Sequence, residues 1–132
     1  MTRPGLLVLL ALLAPAAGAD ATGLLERYAK EAGVAPTSFS PERGAAFYRS
    51  EHRARDGGTA SCATCHTADP RQPGRTRVGK RIEPLAPAAN GERFTDLVKV
   101  EKWFRRNCND VLQRACTAQE KGDFIAWLSQ VR

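Results

Sequence analysis

Cys62-Ala63-Thr64-Cys65-His66 is the stretch on which the reading of this 132-residue chain turns. Two thiols three positions apart share one helical turn, and a histidine follows at once. C-x-x-C-H is the pattern by which a c-type haem is attached: the thiols form thioethers with the two vinyl groups of one porphyrin, and the imidazole then lies beneath the iron. His66 is thus the expected proximal ligand. Its second ring nitrogen is expected to donate to a backbone carbonyl, which fixes ring orientation and raises basicity. Two other chemistries use C-x-x-C. A thioredoxin-like redox pair needs a βαβ context, which the pattern of this chain lacks. A zinc site would have to recruit Cys108 and Cys116, whose spacing is not the second half of a ribbon or finger. One covalently attached haem c, bound through Cys62 and Cys65, is the reading that remains.

The chain opens with Arg3, an apolar run from Leu6 to Ala14, Pro15 and the small residues Ala17-Gly18-Ala19. This is the pattern of a cleaved secretory leader, with cleavage before Asp20. Residues 1–19 are then the signal peptide and 20–132 the cytochrome domain, and the expected address is the periplasm. The apolar run is too short to span a bilayer and no stop-transfer pattern follows, so no membrane span is expected in the mature chain. The domain is small, and a buried haem would supply part of its core.

The formal net charge is +6, and loss of Arg3 leaves 19 basic against 14 acidic residues. Arg71, Arg75, Arg77, Lys80 and Arg81 cluster after the haem motif; Lys99, Lys102, Arg105 and Arg106 cluster further on. Outside the cytoplasm a nucleic acid partner is not expected. A solvated surface accounts for these charges, as do docking to an acidic redox partner and pairing with haem propionates.

Of four cysteines the haem uses two, leaving Cys108 and Cys116. In an oxidising compartment they are expected to form a disulfide, closing a short loop and stabilising by about 2–3 kcal/mol.

Periodicity elsewhere is helical, with no repeats and no strand-like alternation, so an all-α domain is expected. Leu24, Leu25, Tyr28 and Ala32 form one face of a first helix ending near Gly33 and Pro36, expected to pack as an added flap. Ser40 caps a second helix with Pro41 at its first position, running through Ala45, Phe47 and Tyr48. Residues 69 to 91, rich in Pro, Gly and Arg, read as a long irregular loop over the haem edge, anchored by Ile82 and Leu85. Thr95 or Asp96 caps a third helix with Val100, Trp103 and Phe104 on its apolar side, ending around Asn107 to Asn109. Thr117-Ala118-Gln119-Glu120 is a capping box opening a last helix with the stripe Phe124, Ile125, Trp127, Leu128 and Val131. Both tryptophans sit at helical apolar positions and are expected to pack in the core.

The sixth iron ligand is not a methionine, because the single methionine is Met1, within the leader. His52, Lys80, Asn90, Asn107, Asn109 or an open position remain. His52 lies in a polar stretch with Glu51, Arg53 and Arg55, where a surface histidine is ordinary. Lys80 would first have to lose a proton held with a reference pKa of about 10.4. Asn90 belongs to the turn signal Asn90-Gly91, and Asn109 reads as a cap. Asn107 falls on the apolar face with Val100, Trp103 and Phe104, where a buried amide needs a partner. It reads equally as a helix-end asparagine satisfying backbone groups and as an axial donor.

Through these residues the chain resembles class I cytochromes c of the sphaeroides haem protein type, in which an asparagine is the axial ligand. The resemblance is carried by Ser61 to Asp69, by Gly79 to Pro87, and by Arg93-Phe94-Thr95-Asp96 through Trp103 to Arg106-Asn107-Cys108-Asn109. It extends to Cys116 and Ala126-Trp127-Leu128, and covers most of the chain from Pro41 onward. It implies a class I cytochrome c fold with an added N-terminal helix. It also implies thioethers at Cys62 and Cys65, proximal His66, axial Asn107 and a Cys108–Cys116 disulfide. The function it implies is electron exchange with partner cytochromes, coupled to reversible binding of oxygen or nitric oxide at ferrous haem once the asparagine has left. Two alternatives stand beside it. One is a plain electron shuttle with permanently six-coordinate iron, which His52 as ligand would favour. The other is an enzyme turning over oxygen or nitric oxide, for which no acid/base group is evident; a carrier is the stronger expectation.

Overall fold

The computed structural model describes residues 20–132; the signal peptide expected at 1–19 lies outside the described residues. Helix α1 (Ala21–Ala32) is capped by Asp20, whose Oδ1 accepts from the Gly23 amide at 2.7 Å, and ends at Gly33 in the left-handed conformation. A 3-10 turn (Pro36–Ser38) leads to α2 (Pro41–Arg49), where Ser40 Oγ accepts from the Arg43 amide. Next come β1 (His52–Arg53), β2 (Thr59–Ala60), α3 (Cys62–His66), β3 (Gly74–Arg75) and β4 (Arg81–Ile82). Helices α4 (Leu97–Leu112) and α5 (Ala118–Gln130) complete the chain, capped by Asp96 and Thr117. The Thr117–Glu120 capping box forms as expected, with bonds of 3.1 and 2.8 Å.

The all-α expectation holds, with two small exceptions in its connections. β1 pairs antiparallel with β2, setting His52 opposite Ala60, and β3 pairs with β4, setting Gly74 opposite Ile82. Two-residue ladders are too short to show any alternation, which is why the sequence pattern missed them. The second ladder gives the 69–91 loop its internal frame.

α5 is the organising element, packed along both α1 and α2. α2 crosses it where Gly44 meets the backbone of Asp123, so close that a Cβ there would fall 2.0 Å from the Asp123 carbonyl oxygen. Asp123, only 4% exposed, locks the crossing. Its carboxylate accepts from the Ser40 amide at 2.7 Å and from Arg43 Nε and Nη2 at 2.8 Å each. A second close approach lies beneath Phe39, whose ring covers Gly122.

α1 is not a flap. Leu24, Tyr28 and Ala29 are fully buried in the same cluster as Tyr48, Ile125, Trp127 and Leu128. Burying one large side chain of this kind contributes about 1.5–3 kcal/mol, so α1 contributes to the stability of the whole domain. α4 also runs one turn beyond its expected end, to Leu112. Gln113 adopts the left-handed conformation (φ 57°) in place of a glycine, and its side chain donates to the Arg53 carbonyl at 2.7 Å, which holds that conformation. Of the two tryptophans, Trp127 is buried as expected, but Trp103 is 39% exposed. It points about 100° round the helix from its neighbour Phe104, with the Lys102 and Arg106 cations over its ring.

Candidate haem site

Cys62, Cys65 and His66 stand together on the single turn α3. The turn starts where the β1–β2 ladder ends, and the Ser61 amide donates to Thr64 Oγ1 at 2.9 Å. Beyond His66 the chain reverses at Thr67, whose φ of 68° is rare for a β-branched residue and costs of order 1–3 kcal/mol. That conformation is held from two sides. Buried Tyr48 donates its hydroxyl to the Thr67 carbonyl at 2.5 Å, and Thr67 Oγ1 donates to the Asp69 carbonyl at 2.7 Å. On the opposite flank Gly74 lies against the turn, and a Cβ there would fall 2.0 Å from the Cys65 carbonyl oxygen. The strained turn is therefore clamped between α2 and β3.

The two thiols are free and half-buried, whereas Cys108 and Cys116 form the expected disulfide, with Cα atoms 5.6 Å apart. Burial pushes the Cys62 thiol up to about 11. Reactive redox thiols have lowered values, so this environment opposes a dithiol redox pair. Among the described residues no group of three or more His, Cys, Asp or Glu side chains is placed to hold a metal ion. Burial, then the charge of Arg93, lowers the His66 imidazole to about 4, so the ring is neutral near pH 7 with a lone pair free to bind a metal.

Cys62 and Ala63 of this turn pack, partly buried, against the hydrophobic core, as do Leu85, Leu97, Val100, Phe104 and Phe124 from the later loop and helices. Two unpaired thiols on one turn that packs against the core, with a neutral imidazole next to them, fit a covalently attached haem. The loop after the motif is pinned by Pro70, whose carbonyl accepts from the Leu85 and Ala86 amides. Arg93 donates Nε to the Pro84 carbonyl at 2.7 Å and Nη2 to the Glu83 carbonyl at 2.6 Å. Neither Arg93 nor Tyr48 was marked by the sequence as part of the site, since each acts through backbone carbonyls that carry no side-chain signature.

The candidates for the sixth position separate clearly. His52 sits in β1 with Nε2 bonded to Ser50 Oγ at 2.9 Å, and Lys80 is exposed in the β3–β4 connection. Asn90 donates weakly to the Pro84 carbonyl at 3.4 Å, and exposed Asn109 accepts from Arg55 at 3.4 Å. Asn107 is half-buried on the inner side of α4, one residue before the disulfide. Among the basic residues, Arg71, Arg77 and Arg81 pair with Asp69, Asp56 and Glu83 on the surface.

A family model described as a domain of unknown function (DUF1924) matches residues 34–128. The cytochrome c-type protein SHP of Cereibacter sphaeroides is 46% identical over 98% of each chain. Among solved structures, oxidised SHP, described as an oxygen-binding cytochrome c, superposes with a TM-score of 0.75 at 44% identity, covering 84% of this chain and 96% of that one. The solution structure of Methylophilus methylotrophus cytochrome c'', described for the structural basis of its haem-ligand detachment, superposes with a TM-score of 0.73 at 38% identity, covering 85% and 94%.

Proposed function

The chain belongs to the DUF1924 family and to the family of c-type cytochromes that includes SHP, and on that premise we propose an exported electron carrier whose reduced haem binds a diatomic ligand. It carries one covalently attached haem c. In this reading Cys62 and Cys65 anchor the porphyrin and His66 is the proximal ligand. Asn107 is the axial ligand of the oxidised form and leaves on reduction. Residues 1–19 direct export to the periplasm, and the partners are redox proteins and oxygen or nitric oxide. When bound, the haem supplies an iron that cycles between ferric and ferrous and offers one coordination position to a small ligand.

The observation that carries the reading is the pairing of a methionine-free domain with an amide held half-buried on the inner side of α4. A carboxamide oxygen is a hard, neutral, weak donor that suits ferric better than ferrous iron, so the side chain binds tightly only in the oxidised form. Methionine sulfur has the opposite preference, so its replacement by oxygen lowers the reduction potential relative to a His/Met cytochrome. After Asn107 swings away, its NH2 group remains a donor for whatever small molecule takes its place. Phe104, packed edge-on against Tyr28 and Phe124, holds the neighbouring wall apolar. No helix among the described residues is long and apolar enough to cross a membrane.

Visible spectra of the purified holoprotein test the proposal. The ferric form should be six-coordinate, and the dithionite-reduced form should be five-coordinate and high-spin and shift its Soret band on adding carbon monoxide. A reduced form that stays low-spin and ignores carbon monoxide refutes an opening site and leaves a plain electron shuttle.

A further inference from the structure

α4 carries Asn107 yet buries little of itself. Of its sixteen residues only Cys108 is buried, while Leu97, Val100 and Phe104 rest half-covered against the core. Its position is therefore set by a few directional contacts. One is the Cys108–Cys116 disulfide, adjacent to Asn107. The Gln113 bond to the Arg53 carbonyl holds the same end of the helix, and a rod held at one end still pivots; the anchor further along is Glu101, six residues before Asn107 and about 9 Å along the helix axis.

Glu101 joins α4 to two other helices at once. Its Oε1 accepts from Tyr28 Oη of α1 at 2.5 Å, and its Oε2 accepts from Lys121 Nζ of α5 at 3.0 Å. The Lys121 side chain is 13% exposed, and its ammonium lies 5.2 Å from the Tyr28 ring centroid and 5.8 Å from that of Phe104. Charge-assisted bonds at a half-buried place are short and directional, and neither partner can be withdrawn without leaving the other uncompensated. Tyr28 is fully buried in the core. The carboxylate thus ties the ligand-bearing helix to the buried core cluster.

We infer that Glu101 is a positioning residue for the axial asparagine: through Tyr28 and Lys121 it sets the lie of α4 and hence how squarely Asn107 Oδ1 meets its target opposite His66. The inference rests on the reading of Asn107 as ligand. An amide oxygen is a weak donor, so its bond depends on placement more than a thiolate's or an imidazole's does. Cutting the tether penalises the ferric form, in which Asn107 is bound, and spares the ferrous form, from which it has gone.

The test uses the haem-loaded protein and its Glu101→Gln, Tyr28→Phe and Asn107→Ala variants. Glu101→Gln should lower the ratio of six- to five-coordinate ferric haem about tenfold, which for a one-electron couple raises the reduction potential by about 59 mV. Tyr28→Phe removes one hydroxyl, keeps every charge and should shift the ferric spectrum in the same direction by a smaller amount. Carbon monoxide affinity of the reduced forms should stay within about twofold. A potential shift in Glu101→Gln without any change in ferric coordination is a bare charge effect and overturns the inference. So does a wild-type ferric spectrum in both variants. If Asn107→Ala converts the ferric haem to five-coordinate while these two do not, positioning by Glu101 alone is wrong; if Asn107→Ala changes nothing, the ligand reading is wrong.

Discussion

Substituting Gly44→Ala sets two opposed effects against each other at the α2–α5 crossing. Alanine is the better helix former by about 1 kcal/mol. Against that, the new Cβ would fall 2.0 Å from the Asp123 carbonyl oxygen, 2.6 Å from its carbonyl carbon and 2.8 Å from Trp127 Cβ. Ordinary contact begins at 3.4 Å, so the helices must part by more than an ångström, and no atom here is the loose end of a flexible chain. Parting them also loosens the Tyr48–Trp127 ring contact at 4.8 Å and the Arg43 bonds to Asp123. Overpacking that moves backbone costs about 3 kcal/mol, the upper part of its usual range. Subtracting about 1 for helix propensity leaves a net loss of about 2 kcal/mol, or roughly 8–12 °C in Tm for a domain of this size. Thermal unfolding of the holoprotein, followed by far-ultraviolet circular dichroism and Soret absorbance together, measures it. A Tm equal to or above wild type would refute the close-packed crossing.

Asp123→Ala orphans the Ser40 amide and strips the guanidinium of Arg43 of its partner. A loss of about 2–3 kcal/mol is expected in urea titrations at unchanged m-value. Replacing both Cys108 and Cys116 with serine reopens a loop of sequence separation 8. The chain-entropy relation gives a loss of about 2.5 kcal/mol, measurable by the same titration, and a value near zero would mean the unfolded chain is already restricted. Glu101 provides a pH dependence. Burial alone would raise its carboxyl, but the bonds from Tyr28 and Lys121 outweigh that and hold it below its ordinary 4.5. A folded-state value below the unfolded one stabilises fully above about pH 4.5 and loses its effect as pH falls through the folded value. The stability gap between wild type and Glu101→Gln should therefore be constant from pH 6 to 5 and close as pH drops to 3; a gap that widens in acid contradicts the assigned bonds.

What the sequence made legible was local. Ser40, Asp96 and the Thr117–Glu120 box lie where they must to cap helices, because a cap is a contact over three residues. The C-x-x-C-H turn and the disulfide were readable for the same reason, each a short-range pattern with known chemistry. Tyr28 illustrates the opposite case. Its partner Glu101 is 73 residues away, so nothing near either residue signals that α1 belongs to the core. Gly44 and Gly122 read as ordinary helix positions until the chain crossing over each is known. The end of α4 was misplaced because Gln113 does a glycine's work with help from the distant Arg53 carbonyl.

The measurement that bears most directly on the central claim is the ferric resonance Raman spectrum of Asn107→Ala, whose marker bands report coordination number, recorded beside that of His52→Ala. If Asn107 is the weak axial ligand, its removal converts six-coordinate ferric haem to five-coordinate, while His52→Ala, which breaks only a bond to Ser50, leaves the wild-type bands. A six-coordinate Asn107→Ala protein with wild-type bands, or a five-coordinate His52→Ala protein, would contradict the account.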